Sequence, residues 1–116
     1  LAQQGHADAA IAEFQHATEL DPANSIARAD LASLQIPNGK LDDAIANLRA
    51  AAKYDPENAD LHNKLGALLA QTGQYEPAIT EFQAALKLNP SLPRAAENLA
   101  LAQKLKDKPS GKPWLK

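Results

Sequence analysis

The sequence of 116 residues contains no cysteine and no methionine, and its aromatic residues are one Trp, two Tyr and two Phe. Without cysteine the chain has no disulfide, no zinc–thiolate site and no thiol nucleophile. Because no initiator methionine is present, we expect the chain to be a fragment or a processed product. The low aromatic content argues against a β-sandwich, whose strands favour aromatic and β-branched residues.

Long apolar runs and a strong excess of one charge are also missing. No apolar run reaches the ~20 residues that a membrane-spanning helix needs, and no signal peptide is recognisable, so we expect no membrane insertion. The formal net charge of −2 favours neither nucleic acid nor an anionic membrane as a partner. Cytoplasm and periplasm both stay compatible with these features. The charge is unevenly distributed along the chain, since residues 104–116 contain five lysines and one aspartate.

The chain is rich in alanine, which occurs 25 times, and in other good helix formers. Against this background Pro22, Pro56 and Pro90 recur with a spacing of 34 residues. The same spacing holds for further columns of identical residues, which are Gly5, Gly39 and Gly73, then Ala10, Ala44 and Ala78, then Ile11, Ile45 and Ile79, then Ala17, Ala51 and Ala85. A fixed period of this length predicts stacked copies of one structural unit.

Each period has the pattern of two helices. In residues 59–92 one leucine stripe at helical spacing is followed by a break at Gly73 and by a second apolar stripe from Tyr75 to Leu88. Asn58 is placed to cap the first helix with its side chain. Gly66 and Ala78 would let the two helices approach closely. Tyr54, at the end of the preceding period, is predicted to pack at the end of a helix hairpin.

These positions resemble the tetratricopeptide repeat family, whose unit is a helix–turn–helix of 34 residues. Residues 59–92 supply the family pattern at Leu65, Gly66, Leu69, Gly73, Tyr75, Ala78, Phe82, Ala85 and Pro90. Residues 25–58 match at Leu31, Gly39, Leu41, Ala44, Leu48, Ala51 and Pro56. They depart from the family pattern at two positions. Ala32 stands where the family usually has Gly, and Gln35 stands where it usually has Tyr or Leu. The resemblance implies an all-α fold, a right-handed superhelical solenoid of antiparallel helix hairpins.

The period also predicts how the chain is divided, with about two and two-thirds repeats and a polar capping helix. We expect a partial repeat at 1–24, repeats at 25–58 and 59–92, a capping helix at 93–108 and a flexible basic tail at 109–116. In the partial repeat the residues match the end of a first helix and a full second helix. Ile11 and Phe14 are then candidates for an apolar face left near an open end.

Candidate catalytic and metal-binding groups are sparse. His6, His16 and His62 lack the i, i+4 spacing that metal sites on helices use, so they are interpreted as surface histidines. Asp42 and Asp43 open a helix, where acidic groups meet the positive end of its dipole. No Gly-rich phosphate loop and no Ser/His/Asp set is present. We therefore predict no enzyme, no catalytic residue, no cofactor and no metal.

In tetratricopeptide arrays the first helix of each unit lines an inner, concave groove in which partner segments bind. Carried onto this chain, the resemblance implies a partner-binding set formed by Asp30, Ser33, Asp60, Asn63, Lys64, Ala67, Arg94, Glu97, Asn98 and Leu101. Their charges alternate in sign, which suits an extended peptide better than nucleic acid. The alternative is that these are only solvated helix faces. The basic tail with Trp114 could make an electrostatic contact, although a solvated tail is the plainer interpretation.

Two binding modes known in the family fit this sequence poorly. Chaperone-binding members hold a C-terminal carboxylate, and the matching positions here are Ala29, Ser33, Lys64, Arg94 and Asn98. Only one of them carries a suitable residue. Sugar-transferase members carry an Asn ladder, and the matching column reads Asp30, Lys64 and Asn98, so that only one rung fits.

Three hypotheses for function follow. The leading one is a non-catalytic protein–protein interaction module that binds a peptide or partner segment in the concave groove. The second is the C-terminal repeat segment of a larger enzyme, which positions substrates for a catalytic domain outside this chain. The third is a structural module that associates with itself through the truncated N-terminal face.

Overall fold

The computed structural model describes residues 2–108, with side chains from residue 5 onward, and this part of the chain is all-α. Its six helices are α1 (Ala2–Leu20), α2 (Ser25–Gln35), α3 (Leu41–Tyr54), α4 (Ala59–Gln71), α5 (Tyr75–Leu88) and α6 (Ala95–Asp107). They form two compact units, divided between Glu57 and Asn58. The predicted tail at 109–116, including Trp114, lies outside the described residues. No helix among residues 2–108 has both the length and the apolar character needed to cross a bilayer.

The first unit contains α1, α2 and α3, with α2 packed against both of the others. Its most deeply buried side chains combine large and small apolar residues, which are Leu31, Ala32, Ala44, Leu48 and Ala51. Alanine at the crossing points lets the helix axes approach, and leucine fills the space beside them. Ile11 of α1 is also buried, at 4% exposure. The expectation that Ile11 lies on an open apolar face is therefore wrong.

In both units the turn between the two helices of a hairpin depends on a glycine in the left-handed region. Gly73 has φ +82°, its N–H donates to the Ala70 carbonyl, and Gln74 N–H donates to the Leu69 carbonyl. Gly39, with φ +76°, makes the same pair of bonds one period earlier. This Schellman arrangement satisfies carbonyls that the end of a helix would otherwise leave unbonded. Glycine adopts the conformation without the steric cost that a Cβ would add.

Asparagines begin the first helix of each hairpin. Asn58 Oδ1 accepts from Leu61 N–H at 3.2 Å, which confirms the predicted N-cap, and Asn24 Oδ1 accepts from Ala27 N–H at 3.0 Å. Such caps bind an N–H group that the first helical turn cannot pair internally. One period after Asn58 the sequence has Leu92, and α6 begins differently. Its N-cap residue is Arg94, with φ +65° and no side-chain cap bond.

The first helix departs from the sequence expectation. Residues 2–20 form one continuous helix, although we expected the end of one helix followed by a second. Gly5 lies inside α1, whereas its counterparts Gly39 and Gly73 make turns.

The second unit contains α4, α5 and α6. The ring of Phe82, 1% exposed, lies directly against Gly66, and a Cβ at Gly66 would come within 2.8 Å of two ring carbons. This confirms the predicted close approach of α4 and α5. Leu65 and Leu69 fill the core beside the ring. Pro77 is the third residue of α5, where a missing N–H costs no helical hydrogen bond.

Candidate functional site

One depression in the second unit brings together residues from three helices. It has a volume of about 290 Å³ and lies between α4 and α6, with α5 behind them. Its lining consists of Ala67, Ala70, Gln71, Phe82, Asn98, Leu101, Ala102 and Leu105. Residues three or four apart share one face of a helix, so 67, 70 and 71 on α4 and 98, 101, 102 and 105 on α6 point together. Three members of the predicted groove set, Ala67, Asn98 and Leu101, therefore meet here.

The depression is mainly apolar. Phe82 closes its inner end and is almost fully buried, while Leu101 is 54% exposed. An exposed leucine beside small alanines leaves room for an apolar side chain supplied from outside. Asn98 and Gln71 add amide groups that can donate and accept hydrogen bonds. A surface of this kind fits one apolar side chain of a peptide together with polar contacts to its backbone.

The other predicted groove residues of the second unit lie on α4 and at the start of α6, outside the lining of this depression. Lys64 Nζ lies 3.1 Å from Asp60 Oδ2, an exposed i, i+4 ion pair, so the charge of Lys64 is already partly balanced. Such exposed pairs contribute only ~0.3–0.5 kcal/mol, which leaves the pair easy to open. Asn63 Oδ1 is buried and has no hydrogen-bond partner among the described residues. Arg94 and Glu97 are exposed at the start of α6.

Asp30 and Ser33 lie on the first unit, both on the exposed side of α2. Ser33 Oγ donates to the Ala29 carbonyl at 3.0 Å, so its hydroxyl proton is used within the helix. The hydroxyl oxygen can still accept a hydrogen bond. The role of these two residues in partner binding stays a prediction.

The histidines do not all behave as predicted. His6 and His16 are exposed, but the side chain of His62 is only 15% exposed and its Nδ1 lies 2.8 Å from Glu81 Oε1. The interpretation of His62 as a solvated surface histidine is wrong, because this contact joins α4 to α5. Within residues 2–108 no three His, Asp or Glu side chains are grouped as metal ligands would be. Asp42 and Asp43 occupy the first turn of α3, as predicted.

Tyr54 also differs from its prediction. Its side chain is 47% exposed, and Lys53 Nζ lies 5.8 Å from the centre of its ring. The residues one period away, Leu20 and Leu88, are exposed as well, at 75% and 42%. These three periodic positions therefore face solvent at the end of each hairpin. The apolar character of their residues did not by itself predict burial.

Sequence reasoning missed a chain of polar contacts in the first unit. Gln35 is 2% exposed, and its Oε1 accepts from Asn47 Nδ2 at 2.9 Å. Asn47 Oδ1 in turn accepts from an Arg28 guanidinium N–H at 3.2 Å. The one available signal was the departure of Gln35 from the family pattern, since a buried amide at a usually apolar position needs polar neighbours.

Comparison with known proteins identifies the family. One model described as Tetratricopeptide repeat matches residues 30–93 and 69–110, and a second with the same description matches residues 1–46. No curated protein matches the sequence significantly.

Solved structures with the same fold cover most of the chain. The first TPR of Spaghetti (RPAP3), bound to the HSP90 peptide SRMEEVD, has a TM-score of 0.81 and 21% identity, covering 91% of this chain and 84% of that one. The Yersinia enterocolitica secretion chaperone SycD, in complex with a peptide of the translocator YopD, has a TM-score of 0.78 and 22% identity, with coverages of 91% and 86%. At these identities the likeness concerns the fold alone.

A third structure has a more similar sequence. A mutant O-GlcNAc transferase from Thermobaculum terrenum has a TM-score of 0.72 and 34% identity over 84% of this chain. The chain spans only 19% of that transferase. The similarity therefore concerns one segment of a much longer protein.

Proposed function

The chain belongs to the tetratricopeptide repeat family, and we propose that it is a non-catalytic protein-interaction module that holds a peptide segment against α4 and α6 of its second unit. The observation that carries this proposal is the apolar depression formed there around Ala67, Asn98 and Leu101. Two structures of the same fold were solved with bound peptides, which supports a peptide as the type of ligand.

The depression supplies the anchoring free energy. Burial of one leucine- or phenylalanine-sized side chain contributes ~1.5–3 kcal/mol. Asn98 and Gln71 offer polar contacts to the peptide backbone at the rim. Asp60 and Lys64, which neutralise one another, can separate to pair with charges of either sign on the ligand. We therefore propose a ligand with one apolar anchor residue flanked by polar or charged residues.

The test starts from peptides selected by phage display on the immobilised chain. Each selected peptide is labelled with a fluorophore, and its Kd is measured by fluorescence anisotropy. Ala67→Glu places a carboxylate in the apolar depression, where it must be desolvated when the peptide binds, so we expect the Kd to rise at least about tenfold. Selected peptides that bind Ala67→Glu as tightly as the unmodified chain would overturn the proposal.

Ala100→Glu is the matched control for this substitution. Ala100 is exposed on α6, and it lies on the opposite side of the helix from Asn98 because two residues turn the helix by roughly 200°. The same change in charge there should leave the Kd within about twofold, the change expected for an exposed charge outside the contact. The peptide SRMEEVD serves as a comparison ligand, and we expect it to bind no better than a scrambled version.

A second candidate function is favoured by the 34% identity to part of an O-GlcNAc transferase. In that case the chain is the repeat segment of a larger enzyme and positions substrates for a catalytic domain elsewhere. The genomic reading frame tests this directly. Continuation of the frame upstream into a catalytic domain supports the candidate, and a start codon immediately before the codon for Leu1 contradicts it.

A further inference from the structure

Helix α6 forms one wall of the depression in the second unit. It supplies half of the lining residues, which are Asn98, Leu101, Ala102 and Leu105. The facing wall belongs to α4, which contributes Ala67, Ala70 and Gln71. The depression therefore exists only while α6 lies packed in its place beside α4 and α5.

The packing of α6 buries little apolar surface. Within α6 the buried side chains are those of Ala95 and Ala102, and its three leucines are half-buried or exposed. By contrast α4 buries four leucines, and α5 buries the ring of Phe82. Because the free energy of burial scales with the apolar area removed from water, two alanines anchor a helix less firmly than leucines or an aromatic ring.

The start of α6 also lacks the cap that stabilises α4. Arg94 precedes α6 in the left-handed region, and no side-chain cap bond forms there. Asn58, in contrast, caps α4 through its side chain. Without such a cap the first turn keeps an N–H group that the helix itself cannot pair, so less free energy is needed to open it.

An exposed ion pair links the last turn of α6 to α5. Lys106 Nζ lies 3.2 Å from Glu76 Oε1, with side chains that are 45% and 75% exposed. Exposed pairs contribute little to stability because water and salt screen them. Helices α4 and α5 are instead joined by their apolar core and by the contact of His62 with Glu81. The two walls of the depression are therefore held with unequal strength.

We propose that α6 is a movable wall, which opens away from the α4–α5 hairpin while that hairpin stays folded. Segments with few buried apolar contacts open locally, at a lower free energy than global unfolding. Opening separates Asn98 and Leu101 from Ala67, so the depression is lost in the open state. A peptide that binds only the closed state would shift the population toward it. This last step rests on the proposed peptide-binding function, whereas the opening itself does not.

The absence of cysteine makes the opening measurable with single introduced thiols. Ala102→Cys places a thiol beneath α6, where the alanine is 1% exposed. Ala85→Cys places one on α5, where the alanine is 0% exposed. Position 85 lies on the opposite side of α5 from Gln83, which faces a cleft shared with α6, because two residues turn a helix by roughly 200°. Ala100→Cys, exposed on α6, gives the rate for an unprotected thiol.

Each variant is treated with iodoacetamide, and the modified fraction is followed by mass spectrometry. We expect Ala102→Cys to react at least about tenfold faster than Ala85→Cys, because local opening is more frequent than unfolding of the hairpin. Its rate should also rise less steeply with urea, since local opening exposes less surface. Equal rates for the two buried thiols would overturn the proposal, provided that urea denaturation gives both variants the same global stability.

Amide hydrogen exchange of the unmodified chain repeats the comparison without any substitution. The amides between Asn98 and Leu105 in α6 should exchange faster than those between Leu65 and Leu69 in α4. A single common protection for the two helices would show that α6 opens only when the whole unit unfolds.

Two kinds of variant separate α6 from the hairpin. Glu76→Gln breaks the ion pair and should speed the labelling of Ala102→Cys by roughly two- to fivefold. Glu76→Gln combined with Lys106→Gln should add nothing further if the pair is the cause. Asn58→Ala removes the cap of α4 and should speed the labelling of Ala85→Cys about fivefold, but it should leave Ala102→Cys unchanged. An equal effect of Asn58→Ala on both thiols would contradict local opening.

A phage-selected peptide tests the link between opening and binding. Its Kd for the Ala102→Cys variant is measured first by fluorescence anisotropy. At ten times this Kd the peptide should slow the labelling of Ala102→Cys about elevenfold, because the thiol reacts only in the open state. Unchanged labelling at saturation would place the peptide elsewhere and contradict the peptide-binding proposal. The difference between the two buried thiols without peptide tests the opening of α6 by itself, so the two failures are distinguishable.

Discussion

Gly66 shows how a single missing side chain sets the distance between two helices. Its Cα faces the ring of Phe82, and an added Cβ would come within 2.8 Å of ring atoms Cδ1 and Cε1. The ring is almost fully buried, so it has little space into which to move. Glycine inside a helix normally costs ~1 kcal/mol relative to alanine. At this position the close approach to Phe82 outweighs that cost.

Gly66→Ala should therefore destabilise the chain, even though alanine is the better helix former. Overpacking typically costs ~1–3 kcal/mol, and the gain in helix propensity offsets up to ~1 kcal/mol of it. We expect a net loss of up to ~2 kcal/mol in the free energy of unfolding, measured by urea denaturation.

Gly5→Ala is the control, because the space around Gly5 in α1 is empty within 4 Å. Without a clash only the propensity gain remains, so this change should stabilise the chain by up to ~1 kcal/mol. Equal effects of the two substitutions would show that contact with Phe82 does not determine the choice of glycine. Phe82→Leu combined with Gly66→Ala should recover part of the loss if the ring is the cause.

At the scale of the helices, the sequence predicts most of what the structure contains because each start and stop has a local chemical cause. Asn58 caps α4, Gly39 and Gly73 end α2 and α4, and Pro77 lies in the first turn of α5. Gly5 was misread because the period predicts a turn at each of its three glycines, whereas Gly5 lies inside the continuous helix α1. Periodicity alone does not distinguish a glycine that makes a turn from one that continues a helix.

The candidate sites were less predictable than the helices. Ala67, Asn98 and Leu101 were found from the periodic position of each residue on its helix, but Phe82 and Leu105 were not, because they enter the depression by packing. The series from Arg28 through Asn47 to Gln35 spans residues far apart in sequence. No periodic column marks it, since its members occur in one unit only. His62 similarly gave no sign of its contact with Glu81.

The start of α6 provides a prediction at this scale. Arg94 precedes the helix with φ +65°, in the left-handed region that costs a residue with a Cβ roughly 1–2 kcal/mol. Arg94→Gly removes that steric cost and adds ~0.5–1 kcal/mol of unfolded-state entropy. We expect a net stabilisation of up to ~1 kcal/mol, read as a higher Tm in thermal denaturation followed by circular dichroism.

Arg49→Gly is the matched substitution at an exposed position inside α3. There the backbone is right-handed, so glycine brings only its entropic cost, and the Tm should fall by an amount that corresponds to ~1 kcal/mol. A lower Tm for both variants would contradict the assignment of strain to Arg94.

The two compact units differ in charge at the scale of the whole molecule. Residues 1–57 contain nine acidic and four basic side chains, whereas residues 58–116 contain five acidic and eight basic ones. The nearly neutral total therefore conceals an acidic unit and a basic unit. Charged partners of opposite sign should therefore prefer different units.

Each unit also encloses its own core, so the second unit should fold when it is produced alone as residues 58–116. Its buried residues Leu65, Leu69, Phe82 and Ala85 belong to helices that pack within the unit. A chain of this size buries little surface and is only marginally stable, so we expect a helical fragment with cooperative melting and a Tm below that of the full chain. Phe82→Ala should abolish cooperative melting of the fragment, because a loss of ~3–5 kcal/mol exceeds what so small a core can lose. Far-ultraviolet circular dichroism on heating gives both results, and a random-coil spectrum for the unmodified fragment would show that the second unit depends on the first for its fold.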